Sequence, residues 1–126
     1  MSEVPQNPYQ SSTPPTPMSP SDEKMWATLV HVGGIIFSFL PALIGYLVLK
    51  DRGPFVRAHT ATALNFQISI VIYFVVISAF SAITFGIGAI LFLPLLVVAI
   101  VFMILAALAA NRGQGYAYPL SIKFFS

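Results

Sequence analysis

The sequence predicts an all-α integral membrane protein in which three transmembrane helices follow a disordered N-terminal tail. Its 126 residues are 57% hydrophobic and only 8% charged, against roughly one-quarter charged residues in ordinary soluble domains. The apolar residues are gathered into three long runs divided by a charged loop and a short glycine turn, each run about the length that crosses a bilayer. Six of the ten prolines fall within residues 1–20, among Ser, Thr, Asn and Gln, a composition with too little apolar surface to fold alone. The length allows one domain, divided into a tail, 1–21, and a membrane domain, 22–126.

The tail lacks the basic start and apolar stretch of a cleavable signal peptide, so the first helix is expected to direct insertion. That helix, placed at about 24–49, is announced by Ser21, a candidate cap for free amides, with Asp22 and Glu23 at the positive end of the helix dipole. No formal charge interrupts residues 25–49. Trp26 is suited to the interface, while Gly33-Gly34 and Pro41 predict a kink near 38–41, since proline removes a backbone hydrogen bond. A re-entrant hairpin with both ends on one side is the alternative, provided protein shields the broken backbone.

Lys50-Asp51-Arg52-Gly53-Pro54 closes that run, and Pro54 suits the first position of the next helix. The second helix is expected at about 55–85, with its uncharged span starting at Ala63. Gly86-Ile87-Gly88 makes a short turn into a third helix at about 88–111, so that the two spans form a tight antiparallel hairpin. Asn111-Arg112-Gly113 supplies the cation and glycine of a helix C-terminus. Residues 112–126 form an aromatic tail, with Tyr116 and Tyr118 as interface anchors beside Trp26.

Lys50, Arg52 and Arg57 in the first loop, with Arg112 and Lys123 in the C-terminal tail, place that side in the cytoplasm by the positive-inside rule. The expected location is the cell inner membrane. Three spans put the N-terminal tail outside, whereas a re-entrant first segment puts it inside.

Four stretches carry a family resemblance: Asp22-Glu23-Lys24-Met25-Trp26-Ala27-Thr28-Leu29-Val30-His31; Pro54-Phe55-Val56-Arg57-Ala58-His59; Ala63-Leu64-Asn65-Phe66-Gln67; and Gly115-Tyr116-Ala117-Tyr118-Pro119-Leu120-Ser121-Ile122-Lys123-Phe124. Together they resemble the domain of unknown function forty-eight-seventy, small bacterial membrane proteins described as similar to the Tic-twenty component of chloroplast import. The resemblance covers 22–125 and implies, remotely, a protein-conducting role.

The residues themselves argue against catalysis. Glu3, Asp22 and Glu23 precede the first helix, which leaves Asp51 alone in a loop, and no paired carboxylates or phosphate-binding glycine loop appear. With no cysteines there is no thiolate site, and no cofactor or metal is expected. The small, scattered charge excludes a nucleic-acid face, and no small-molecule ligand is indicated.

His31 and His59 are expected at opposite ends of a single-span first helix, too far apart to share an ion; only the re-entrant arrangement brings them together. His59, Ala63 and Gln67 recur every four residues, with Asn65 and Ser69 in a neighbouring stripe. These polar groups form either contacts inside the monomer or a polar cavity or subunit contact. Ser78, Ala82 and Gly86, with Ala106 and Ala110, are expected to pack the second and third helices together, with a homo-oligomer contact as the alternative. The expected function is a structural or interaction component of a membrane complex, whose partners are the lipid bilayer and other membrane proteins or itself. The alternative is a small oligomeric transporter or pore lined by His59, Asn65 and Gln67, for which the resemblance to an import component implies peptides as cargo.

Overall fold

The computed structural model describes residues 16–126, so most of the expected disordered tail, 1–15, lies outside the described residues. Four helices follow: α1, Pro20–Phe37; α2, Leu40–Leu49; α3, Pro54–Ile83; and, after a 3-10 turn at Ile87–Leu91, α4, Phe92–Asn111. Helix α1 begins earlier than the sequence suggests. Its cap is Ser19 rather than Ser21, with the Ser19 hydroxyl accepting from the Asp22 N–H at 3.2 Å.

The first apolar run is not one kinked span. Ser38 turns the chain at φ 59°, ψ −127°, and Pro41, lacking an N–H, is tolerated in the opening turn of α2 but could not continue α1. The two helices then run back antiparallel, with Val30 facing Gly45 and Gly33 facing Pro41. A Cβ on Gly45 would lie 2.9 Å from Val30 Cγ2 and 3.3 Å from Thr60 Cγ2, so this glycine sets how closely the hairpin closes upon itself and α3. The ends are tied together where the Met18 N–H donates to Arg52 O at 2.8 Å.

Helices α3 and the turn-plus-α4 segment, Ile87–Asn111, are long and apolar enough to cross a membrane. They do not form the tight pair expected. They meet at the 3-10 turn, where Gly88 sits against Ser81, and α4 then packs chiefly on α1. Ser78, Ala82 and Gly86 face outward, while Ala106 and Ala110 are fully buried. The buried residues of α3 all lie between Val56 and Ser69, and those of α4 between Ala99 and Asn111. Toward the turn, both helices lack buried residues.

Glu23 links α1 to the start of α3. Its Oε1 accepts the Val56 N–H at 3.0 Å, one of the amides that a helix N-terminus leaves without a partner. A Cβ on Gly53 would collide with this carboxylate, so glycine there leaves room for a cap supplied by another helix. The start of α1, the start of α3 and the end of α4 therefore share one end of the molecule, where Lys24 also lies against Gly113.

Candidate functional site

Beneath that charged end lies a chain of buried polar side chains. His31 of α1 and His59 of α3 are each 1% exposed, and His31 Nε2 lies 2.8 Å from His59 Nδ1. His31 Nδ1 is 2.6 Å from the Tyr118 hydroxyl, and His59 Nε2 is 2.8 Å from Gln114 O. A carbonyl oxygen can only accept, so His59 Nε2 donates. With both rings neutral, the remaining protons are then fixed: His31 Nε2–H donates to His59 Nδ1, and the Tyr118 O–H donates to His31 Nδ1. The Tyr118 ring stacks on Phe66 at 4.0 Å.

A second polar set lines α3 at four-residue intervals. Asn65 Oδ1 accepts from the N–H groups of Phe124 and Phe125 at 2.9 and 2.8 Å, and Asn65 Nδ2 donates to Phe125 O at 2.9 Å. Ser69 Oγ accepts the Ile122 N–H at 2.7 Å, and the Tyr73 hydroxyl donates to Leu120 O. The C-terminal tail thus runs inward along α3 to the level of Tyr73 and returns to Ser126, whose carbonyl accepts from Tyr46 and Arg57. Irregular backbone is tolerated at depth in an apolar medium only where its polar groups find partners, and this ladder supplies them. Tail and helix enclose a cleft of about 380 Å³ between Ala58, Ala61 and Thr62 on one side and Tyr116, Ser121 and Lys123 on the other.

The structure corrects several placements. His31 and His59 are neighbours, because the first segment folds back. Tyr118 is a core residue rather than an interface anchor, whereas Tyr116 is part-buried and Trp26 is 42% exposed. Gln67 turns away from Asn65, and its Nε2 lies 3.0 Å from Met103 Sδ in a site that also abuts Gly34. Lys50, Arg52, Arg57 and Arg112 all lie at the charged end. Arg57 pairs loosely with Asp51 at 3.6 Å, and Lys50 lies over the Tyr46 ring. Lys123 sits deeper, on the returning tail. Sequence reasoning missed Tyr46, Tyr73 and Gln114, and it read Glu23 as a charge at the start of α1 rather than as the cap of α3. Tyr73 was within reach, since it extends the Asn65–Ser69 stripe by four residues. All four imidazole nitrogens are engaged, and among the described residues no group of three or more His, Asp or Glu could hold a metal ion.

Comparison with known proteins places the chain. Residues 22–125 match the magnetosome magnetite crystal formation protein family, and the chain belongs to that family. This overturns the resemblance to the domain of unknown function forty-eight-seventy and its Tic-twenty-like relatives, which was read from the same stretch of sequence. No curated protein and no solved structure matches it.

Proposed function

We propose that this member of the magnetosome magnetite crystal formation family serves crystal formation as a non-enzymatic membrane component. It acts by contact with other membrane proteins or with further copies of itself. Helices α3 and α4 anchor it in the cell inner membrane, and the charged end faces the cytoplasm. Lys24, Lys50, Arg52, Arg57 and Arg112 gather at that end, while residues 84–88 at the other carry no charge, the asymmetry that the positive-inside rule reads as cytoplasmic.

The observation that carries the reading is where the polar groups of the apolar half are used. His31, His59, Asn65, Gln67 and Ser69 all bond within the chain, which leaves the basic end as the face offered to partners. A pore lined by His59, Asn65 and Gln67 has no support, because those side chains hold α1, α4 and the tail.

The test is replacement of the native chain, in a magnetite-forming cell, by the Lys50→Glu, Arg112→Glu double variant. The variant should stay in the membrane, lose its cross-links to neighbouring proteins and reproduce the crystal defect of the deletion by electron microscopy. Native crystals with the basic face reversed would sink the proposal.

A further inference from the structure

The burial pattern gives the molecule a taper. Around Val56–Ser69, α3 is enclosed by α1, α2 and the returning tail, and no residue of α3 beyond Ser69 is buried. On α4 the first buried residue is Ala99.

The depth at which the taper begins follows from the helix rise. Tyr73 lies ten residues before Ile83, about 15 Å along the axis at 1.5 Å per residue, which is half of a hydrocarbon core of roughly 30 Å. If the uncharged turn at 84–88 marks the far boundary, Tyr73 stands near the bilayer midplane. Two separate elements stop at that level. The hairpin tip at Ser38 borders the same small cavity as Ile70 and Phe74, and the tail turns back at Leu120, held by Tyr73. Both elements are fixed in depth against α3, the hairpin by the Glu23–Val56 and His31–His59 hydrogen bonds and the tail by its bonds to Asn65 and Ser69.

We infer that the protein distinguishes bilayers by curvature, favouring those in which the leaflet at its basic end is convex. With helix diameters of about 10 Å, α1 and α2 add roughly 160 Å² to one leaflet and nothing to the other. The irregular tail adds more on the same side. A leaflet that accepts this extra area is relieved when it is the outer leaflet of a small vesicle, the physical basis on which one-sided insertions sense curvature. The partner is the lipid surface itself, so the inference is independent of the assembly role proposed above. The competing occupant of the taper is a second copy packed against the outward-facing Ser78 and Ala82, which would restore a cylinder.

The test uses the full, cysteine-free chain with a single cysteine at one end or the other, Asp51→Cys or Ile87→Cys. Each variant is reconstituted by detergent removal into phosphatidylcholine alone, so that lipid charge does not choose the orientation. The vesicles are then sorted by diameter. Labelling by an impermeant thiol reagent, before and after solubilisation, gives the fraction of each end that faces outward. The ratio of basic-end-out to basic-end-in chains should rise several-fold from the largest vesicles to the smallest, and the two variants should give reciprocal answers. A ratio that does not change with diameter, or that changes in the opposite sense, overturns the inference. An unchanged ratio together with disulfide-linked dimers of an Ala82→Cys variant would assign the taper to the second copy instead.

Discussion

Replacing Asn65 with leucine removes three hydrogen bonds at once, to the N–H of Phe124, the N–H of Phe125 and the carbonyl of Phe125. Leucine keeps most of the volume and the helical preference, so α3 itself should persist. At a net 0.5–1.5 kcal/mol per bond, the tail loses roughly 1.5–4.5 kcal/mol of docking free energy. The average of about 0.6 kcal/mol found for bonds between membrane helices gives about 2 kcal/mol. Even the bottom of that range, about 1.5 kcal/mol, multiplies the undocked population about tenfold, since about 1.4 kcal/mol is a factor of ten. Amide hydrogen exchange, followed by mass spectrometry on the purified protein in lipid nanodiscs, reads that population directly. Exchange across 122–125 should accelerate by at least an order of magnitude, with little change in the α1–α2 hairpin. Unchanged protection at Phe124 and Phe125 would mean that the ladder along α3 does not hold the tail, and the account of how irregular backbone survives there would fail.

His31→Phe leaves His59 Nδ1 and the Tyr118 hydroxyl buried without partners, at about 1–3 kcal/mol each; a sharp fall in melting temperature in detergent is expected, and an unaltered melt would remove the polar chain's structural role. Gly45→Leu drives a side chain into Val30 and Thr60, and overpacking of this kind costs about 1–3 kcal/mol; amide exchange in the α1–α2 hairpin should accelerate in lipid nanodiscs, and unchanged protection there would refute the close hairpin contact. Single cysteines at Ser21 and Asp51 should be labelled from one side of a sealed membrane and Ile87→Cys from the other, whereas labelling of Ser21 and Asp51 from opposite sides would restore a single first span.

The two long spans were legible because their signal is local: an uncharged run of sufficient length needs no partner to be recognised. The hairpin was half legible. Gly33, Gly34 and Pro41 announce a break, but a kink and a reversal use the same residues, and the choice is made by distant groups. Met18 bonds to Arg52, Glu23 caps α3, and His31 meets His59 only if the segment returns. None of these pairings has a period that could be counted along the chain. The outward-facing Ser78–Ala82–Gly86 stripe failed for a related reason. Small residues permit close approach without requiring it, and α1 provides a partner for α4 that spacing within α3 does not reveal.

The C-terminal tail shows what sequence patterning conceals. Its tyrosines and phenylalanines have the composition of an interface segment, and neither helical nor strand periodicity marks it for burial. Most of its partners are on α3, where Asn65, Ser69 and Tyr73 stand at four-residue intervals and carry the donors and acceptors that a returning peptide needs. Such a stripe on a single helix is equally suited to a pore, a subunit contact or a docked tail, and its own spacing cannot separate the three. What separates them is the accounting of partners: Phe124, Phe125, Ile122 and Leu120 take up these bonds inside the monomer. Occupied in this way, the stripe holds extra mass in one half of the molecule's length. The groups whose spacing suits a pore are therefore those that help create its taper.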